Sequence, residues 1–176
     1  VAAYLTFTNQ PIHPFTFSVS NPSAGITASQ TTGNITITAT ASVFASGNVG
    51  QYINVLSNYG RARIVEYVST TQVKGHVTIN FFDTAQVSAS NWELEAGYEN
   101  AWSSSKGWPT SCTFHESRLY IGGSKSLPTH IWASRVGDYF NFELGEGLDD
   151  EALSAELTTD SLNAIQQIFS GRIVDM

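Results

Sequence analysis

The feature that most constrains the fold of this chain is a series of short runs in which apolar and small polar residues alternate. Alternation with a period of two puts every second side chain on one face of an extended chain, and it is typical of a half-buried β-strand. The runs are separated by proline, glycine and asparagine, which interrupt a ladder or favour tight turns. The sequence therefore predicts an all-β protein built from small antiparallel sheets.

Composition agrees with this prediction and excludes other classes. Charged residues make up only 13% of the 176 residues, about half of the usual share. The net charge of −7 opposes binding to nucleic acid phosphates. One cysteine, Cys112, excludes an intrachain disulfide framework. Because the chain starts at Val1 and ends just after the strand-like run Arg172–Val174, we expect it to be part of a longer protein.

Residues 1–40 are expected to form the edge of a β-sandwich or part of a larger domain. The alternating runs in this segment are Tyr4–Thr8, Phe15–Val19 and Ile35–Thr38. Turn residues separate these runs, which predicts that each one forms a strand.

Residues 41–95 are expected to form a small β-barrel domain, because four runs rich in β-branched and aromatic residues recur at close spacing. These runs are Tyr52–Val55, Ala62–Val68, Val73–Ile79 and Asn91–Leu94. In the second run neither alternating set of side chains is purely polar. We therefore expect both faces of that strand to be partly covered.

Residues 96–176 are expected to begin a β-propeller-like domain. The strand-like runs in this segment are Ser111–Phe114, Arg118–Ile121 and His130–Ser134. A hairpin followed by a third strand predicts a meander sheet, the unit of a propeller blade. Asp160 can cap one short helix near the C-terminus. The apolar face of that helix would carry Leu162, Ile165 and Phe169.

The same segment contains an ordered set of aromatic residues, glycines, prolines and charged residues. The set is Trp102, Gly107, Trp108, Pro109, Arg118, Gly122, Gly123, Pro128, Trp132, Arg135, Asp138 and Phe142. In its order and spacing this stretch resembles the signature of tail nozzle or tail tubular proteins of short-tailed bacteriophages. Upstream segments are similar to the small β-domain that precedes the signature in that family, so the resemblance covers roughly residues 35–170.

The resemblance implies a virion structural protein of the phage tail and not an enzyme. Proteins of this family form a ring, expected to be hexameric, that extends the channel through which the genome is ejected. The implied partners are neighbouring copies and other tail proteins, such as the adaptor and the fibres. DNA would pass through without specific binding, because an acidic lumen suppresses contacts with phosphates. From the residues themselves we expect no cofactor, no metal and no membrane partner, because no apolar run approaches the length needed to cross a bilayer and no cofactor or metal motif is present.

The residue types of the signature fit a structural role. Its glycines suit tight turns, and its large aromatic side chains can anchor contacts inside a sheet or between subunits. Arg118 and Arg135 can pair with Glu116, with Asp138 or with a neighbouring subunit. Taken singly, each of these residues is better explained as an ordinary core aromatic or turn glycine, and only the ordered set indicates more.

Recognised catalytic motifs are absent from the sequence, but one group has the residue types of a metal site. His115 and Glu116, together with His130 in the following strand, can form a two-histidine, one-carboxylate site. A turn histidine that is solvated or hydrogen-bonded to the backbone is the favoured interpretation, because no third ligand has the right spacing.

An acidic segment and the cysteine are two further candidates. Glu143, Glu146 and the run Asp149–Glu151 can bind a hard cation, but they lack the alternate-residue pattern of a calcium loop. A solvated acidic loop is therefore the favoured interpretation. Cys112 is expected to pack as a small apolar residue and not to act as a nucleophile.

Two other functions stay open. A carbohydrate-binding β-sandwich of a phage tail would stack aromatic rings on sugars, and it requires several tryptophans exposed on one face. The candidates are Trp92, Trp102, Trp108 and Trp132. A polysaccharide-cleaving enzyme needs two carboxylates across a groove. Glu93, Glu95 and Glu99 are close in sequence, but nothing indicates that they converge, so this hypothesis ranks last.

Overall fold

The structure, a computed structural model, describes residues 6–57, 59–158 and 164–171. Within these ranges the chain forms β-strands joined by turns, with short 3-10 helices at Ser46–Asn48 and Ala89–Asn91. The strands are β1 (Ile12–Ser20), β2 (Ile26–Ala28), β3 (Asn34–Ala39), β4 (Tyr52–Val55), β5 (Arg61–Ser69), β6 (Gln72–Ile79), β7 (Trp92–Asn100), β8 (Ser111–His115), β9 (Arg118–Gly122), β10 (His130–Ala133) and β11 (Leu153–Glu156). The predicted all-β class is confirmed.

The chain divides into two compact units. The inserted unit is the continuous stretch His13–Glu99, and the flanking unit combines Val1–Ile12 with Asn100–Met176. A boundary expected near residue 95 lies close to the observed one. The other, expected near residue 40, falls inside the inserted unit, because β3 pairs with β6 in a single sheet. Pairing between strands so distant in sequence leaves no local signal.

A seven-stranded sheet makes up the inserted unit, in the order β1-β7-β4-β5-β6-β3-β2. The sheet curls, because the segment that leads into β7 also meets β2. Ile26 of β2 exchanges two backbone hydrogen bonds with Val87, at 2.9 and 2.8 Å. The indole N–H of Trp92, the first residue of β7, donates to the carbonyl of Ala24 at 2.7 Å. Residues 87–92 thus link both sides of a small, barrel-like sheet.

A bulge in β5 shifts the alternation of buried and exposed residues along that strand. Ile64 is buried, and Tyr67, an odd number of residues further on, also packs against the core. Ile64 lies opposite Gly75, while Glu66 lies opposite the adjacent residue, Lys74. One extra residue is therefore inserted into β5 at this point. The bulge explains why neither alternating set of this run is purely polar in the sequence.

The flanking unit contains a four-stranded sheet in the order β11-β10-β9-β8, with every neighbouring pair antiparallel. Each strand lies beside the next one in sequence, which is the meander predicted for residues 96–176. Ile121 lies opposite Cys112 on one side and opposite Trp132 on the other. Side chains of directly opposed residues share one face of a sheet. This face carries the core of the unit, which includes Leu119, Ile121 and Trp132.

The strand expected at Tyr4–Thr8 is not present in its described part, Thr6–Thr8, while residues 4 and 5 lie outside the described ranges. The segment instead packs against a loop much later in the chain. The backbone N–H of Thr8 donates to the carbonyl of Phe140 at 2.9 Å. That of Phe142 donates to the carbonyl of Asn9 at 3.0 Å. The N-terminal segment is thereby built into the flanking unit.

The short helix expected near the C-terminus is not present in residues 164–171, which have no helical structure. Its expected cap, Asp160, and Leu162 lie outside the described residues. The backbone N–H of Ile165 donates to the carbonyl of Pro128 at 2.8 Å, so this segment runs beside the meander sheet. Tertiary packing against the sheet overrides the helical spacing of the apolar residues.

Candidate functional site

Aromatic residues of the signature build the core of the flanking unit. Trp102, Trp132 and Phe142 are buried. The ring of Trp102 meets Trp132 edge-to-face at 5.3 Å between centroids and meets Phe142 at 6.1 Å. Phe7 lies 5.6 Å from Trp102, so the N-terminal segment completes the cluster. Such geometry is favourable for aromatic pairs, and it makes these residues a packing core.

Trp108 is the exception, because 64% of it is exposed. It lies in the loop before β8, between Gly107, which bridges to Ser103, and the half-buried Pro109. The other tryptophans, Trp92, Trp102 and Trp132, are buried. The face of several exposed tryptophans that the carbohydrate hypothesis requires is therefore not formed.

Two signature glycines allow another segment to approach the sheet closely. Ile165 and Ile168 pack over Gly122, and any side chain at this position would collide with Ile168. Gly123 has a φ of +64°, a conformation that residues other than glycine rarely adopt. Pro128 is half-buried, and its carbonyl accepts the hydrogen bond from Ile165. These residues hold residues 164–171 against the sheet.

Arg118 binds backbone carbonyls. Its guanidinium donates to the carbonyl of Ser134 at 2.7 Å, and also to the carbonyls of Asp149 and Glu151. A guanidinium presents several donors in a fixed plane, so one side chain can serve several acceptors. Arg118 therefore ties β9 to the loop that precedes β11.

Glu151 anchors the acidic loop from inside. It is 8% exposed, and its Oε2 atom accepts backbone hydrogen bonds from Glu146, Gly147 and Leu148 at 2.6, 2.7 and 3.0 Å. These three backbone N–H groups satisfy one oxygen of a buried carboxylate with hydrogen bonds. The interpretation of Asp149–Glu151 as a solvated loop is therefore wrong for Glu151.

Arg135 lies beside this carboxylate. Its Nη2 atom is 3.9 Å from Oε1 of Glu151 and 4.0 Å from Oδ2 of Asp150. Asp138 is exposed, and its backbone N–H donates to the carbonyl of Arg135 at 3.3 Å. Both signature arginines therefore contact the acidic loop: Arg118 binds its backbone carbonyls, and Arg135 lies beside its carboxylates.

Part of the core-bearing face of the meander sheet is uncovered at β8. Cys112 lies opposite Ile121, and Phe114 lies opposite Leu119, yet both β8 residues are exposed. The ring of Phe114 meets that of Tyr139 edge-to-face at 5.1 Å, and Tyr139 is itself 36% exposed. The prediction of a packed Cys112 is wrong, because no described residue covers this part of β8. We name Cys112, Phe114 and Tyr139 the β8 patch.

An open groove of about 460 Å³ lies on the opposite face, between the sheet and residues 168–171. His115 and Tyr120 line it. Nδ1 of His115 lies 2.9 Å from Oγ of Ser170, but its Nε2 lies 3.6 Å from Oε1 of Glu116. The second distance is beyond a hydrogen bond, and the Glu116 side chain is 76% exposed. The carboxylate therefore does not orient the histidine as a catalytic triad requires.

His130 lies on the other face of the sheet from His115. Its ring packs 4.6 Å from that of Trp132, and its Nε2 lies 2.7 Å from Oγ of Ser154. The considered site of two histidines and one carboxylate is therefore not assembled. In the part of the chain that the structure describes, no group of three or more histidine, cysteine or acidic residues is arranged to hold a metal ion.

A polar network on the inserted unit, which includes two of the candidate carboxylates, was not predicted from the sequence. Arg61 donates to Oε2 of Glu95 from Nη2 at 2.6 Å and from Nε at 3.1 Å, and Nη2 also donates to the Tyr98 hydroxyl at 2.8 Å. The amide of Asn54 donates to Glu93 at 2.9 Å and to Glu95 at 3.3 Å. Two candidate carboxylates, Glu93 and Glu95, therefore accept hydrogen bonds from the same amide, and Arg61 forms an ion pair with Glu95. In the sequence, only the spacing of two residues between Glu93 and Glu95 indicates that their side chains lie on one face of β7.

Burial and charge shift the pKa values in this network. Burial by itself lowers the pKa of Arg61, but the hydrogen bond to Glu95 and the neighbouring Tyr98 raise it above its ordinary value. Burial raises the pKa of Tyr98, which outweighs the lowering by the charge of Arg61. The guanidinium lies 3.8 Å from the centroid of the Tyr52 ring, a cation–π contact. The network therefore stabilises the sheet through hydrogen bonds, an ion pair and a cation–π contact.

Comparisons with known proteins do not assign a family. No protein-family model matches the chain, and a search of the curated proteins gives no significant match. Among the residues described by the structure, no helix has the length and apolar character needed to cross a bilayer.

Proposed function

We propose that the chain is a structural subunit of a bacteriophage tail tube or nozzle, located in the virion tail and forming part of the DNA-ejection channel. Its partners would be further copies of the chain in a ring, proposed to be hexameric, together with other tail proteins such as the adaptor and the fibres. No cofactor and no catalytic activity belong to this proposal.

The observation that carries the proposal is the β8 patch. Leu119 and Ile121 bury one face of the sheet in the core, whereas Phe114 and Tyr139 leave the adjoining part of that face open. Exposed apolar residues that continue a core are typical of a surface that another sheet covers. A second blade of a propeller or a neighbouring subunit would present such a sheet.

The resemblance supports the proposal through the roles of its residues. Most signature aromatics pack in the core of the flanking unit. The signature glycines allow residues 164–171 to approach the sheet closely, and the two arginines bind the acidic loop. None of these roles is catalytic. A sequence that specifies a scaffold in this way is suited to a structural part of a particle.

The exposed acidic residues are compatible with a channel for DNA. Asp138, Glu146, Asp149 and Asp150 are exposed on the flanking unit. If they face a lumen, their charge prevents phosphates from binding, so that the genome slides through.

Carbohydrate binding remains the second candidate function, now favoured by the groove and not by the tryptophans. His115, Glu116, Tyr120 and Phe169 combine hydrogen-bonding groups with aromatic rings in an open site. Titration with oligosaccharides, followed by isothermal calorimetry, tests this candidate. Loss of any response in a Tyr120→Ala variant that folds would locate binding in the groove.

Measuring the mass in solution by light scattering tests the ring. The chain itself and a version extended by further downstream sequence are compared over a range of concentrations. A ring-sized mass for either version supports the proposal, and a monomer for both at every concentration counts against it.

A pair of variants then locates the contact. Phe114→Glu places a charge in the β8 patch and is expected to abolish the ring. Phe82→Glu is the matched control, because Phe82 is 78% exposed but lies in the inserted unit. Equal loss of the ring in both variants would reject the β8 patch as the contact.

A further inference from the structure

Strand β11 and the residue that follows it expose a row of apolar side chains. In the run Leu153–Leu157, every second residue is apolar and the two residues between them are polar. Such alternation places the apolar residues on one face of an extended chain. Leu153 is 48% exposed, Leu157 is 46% exposed, and Ala155 between them is exposed as well. We name Leu153, Ala155 and Leu157 the β11 strip.

The β11 strip lies on the face of the meander sheet that is opposite to the core. Leu153 lies opposite Ala133, and Ala133 lies opposite Tyr120, which lines the groove. Side chains of directly opposed residues share one face of a sheet. Residues 164–171 cover this face over Gly122, but the leucines of the strip remain about half exposed. The apolar side of β11 therefore points away from the core of its own unit and into solvent.

The β8 patch and the β11 strip lie at opposite edges and on opposite faces of one sheet. β8 and β11 are the two outer strands in the order β11-β10-β9-β8. The patch continues the core-bearing face, whereas the strip lies on the groove face. Glu156, the charged residue of β11, lies opposite His130 and so outside the strip. One copy can therefore use the patch for one neighbour and the strip for another, which is the geometry of a heterologous contact.

Charge favours this contact over the pairing of two β8 patches. Glu116 and Asp138 are exposed beside the patch. The backbone N–H of Gly137 donates to the carbonyl of Ser117 at 2.8 Å, so the turns that carry these two carboxylates lie next to each other. A two-fold contact uses the same surface on both partners and would bring the acidic turns of two copies together, where like charges repel. The β11 strip is uncharged and brings no such repulsion.

We propose that the β11 strip of one copy packs on the β8 patch of the next copy, head to tail. Its leucines would cover the rings of Phe114 and Tyr139, so that each surface buries apolar area that the other leaves open. Heterologous contacts of this kind generate a ring when the rotation between neighbours closes. The inference rests on the proposed function, because it identifies the second surface of the ring contact.

Two variants that each block one surface test the contact by analytical ultracentrifugation on the full chain. Phe114→Glu blocks the patch and Leu153→Glu blocks the strip, so each variant alone is expected to stay at 19.1 kDa. Mixed in equal amounts, they are expected to form a species of twice that mass, because the intact strip of the first fits the intact patch of the second. This pair cannot grow, since its remaining surfaces are blocked. Its formation also shows that both variants fold.

A matched variant controls for the added charge. Leu56→Glu introduces the same change at a leucine that is 49% exposed but lies in the inserted unit. It is expected to associate like wild type, both alone and in the presence of either blocked variant.

The single cysteine gives a second readout, because Cys112 is exposed and belongs to the β8 patch. In the mixed pair, the thiol of the Leu153→Glu copy is expected to react more slowly with iodoacetamide than it does in that variant alone. The thiol of the Phe114→Glu copy is expected to react at an unchanged rate. Mass spectrometry distinguishes the two copies by their substitutions.

The possible outcomes separate this inference from the proposed function. Association of Leu153→Glu equal to that of wild type would overturn the inference, and so would a mixture that stays at the mass of one copy. The proposed function survives either result if wild type forms a ring. Open chains of wild type that lengthen with concentration, and that Leu153→Glu abolishes, would support the head-to-tail contact and count against a closed ring. A wild type that is monomeric at every concentration counts against both.

Discussion

Replacing Trp92 with phenylalanine tests what closes the curled sheet of the inserted unit. Trp92 is fully buried, and its indole N–H donates to the carbonyl of Ala24 at 2.7 Å. Phenylalanine leaves that carbonyl without its donor, which costs about 1–3 kcal/mol. It also removes about three buried heavy atoms, which at about 0.8 kcal/mol each contribute about 2 kcal/mol. We expect the inserted unit to lose about 3–5 kcal/mol of stability.

Two other tryptophans provide matched controls. Trp132 is as buried as Trp92, but its indole nitrogen has no hydrogen-bond acceptor among the described residues. Trp132→Phe removes the same volume and breaks no hydrogen bond, so the expected loss is about 2 kcal/mol. Trp108→Phe, at an exposed position, is expected to change stability by less than about 0.5 kcal/mol.

Native-state hydrogen exchange measures the free energy of opening in each unit separately. Amides of β4 report on Trp92→Phe, and amides of β10 report on Trp132→Phe. A loss in Trp92→Phe no greater than that in Trp132→Phe would mean that the bond to Ala24 contributes nothing to closure. The reasoning about the curled sheet would then be wrong.

Three further changes probe the loop, the bulged edge and the polar network. Glu151→Gln replaces a carboxylate oxygen, which accepts three backbone hydrogen bonds, with a donor. We expect it to destabilise the flanking unit by about 2–3 kcal/mol and to speed hydrogen exchange of the three partner amides. Glu156→Gln, at an exposed position, is the control and is expected to change neither. Gly97→Ala is expected to lower the free energy of unfolding in urea by more than about 2 kcal/mol, because Gly97 has a φ of +93° and a side chain there would collide with the backbone of β1. Gly47→Ala, at a position with open space around it, is the control and should not change stability. Since burial raises the pKa of Tyr98, the unfolded state loses its phenolic proton first. The resulting stabilisation is present below about pH 10 and is lost as the pH rises further. Urea unfolding at rising alkaline pH should show this additional loss in wild type but not in Tyr98→Phe, and parallel curves would refute it.

Local alternation was sufficient to predict most strands. Tyr52–Val55 matches β4, and Phe15–Val19 and Ile35–Thr38 lie within β1 and β3. Two strands, β2 and β11, were not predicted. β2 has only three residues, and β11 contains no β-branched or aromatic residue, so each is fixed by its neighbour in the sheet and not by its own sequence.

Long-range placement could not be predicted. Nothing near Phe7 indicates that its ring joins Trp102, because that contact spans the whole inserted unit. The burial and hydrogen-bond partners of several polar residues could not be predicted from the sequence either. Glu151 has the sequence context of a solvated loop, and only the turn at residues 146–148 makes it a buried acceptor. Cys112 has the context of a packed strand residue, and only the edge position of β8 exposes it.

The flanking unit is interrupted in the chain, and this interruption determines the order in which a ribosome delivers its parts. Residues 6–12 emerge first but find their partners only after residue 100, whereas His13–Glu99 is one continuous stretch and can fold as soon as it is complete. The backbone N–H of Ala101 donates to the carbonyl of Pro11 at 2.8 Å, so the chain leaves and re-enters the flanking unit at adjacent points. A short linker can therefore replace the whole inserted unit, or another domain can be spliced into the same position.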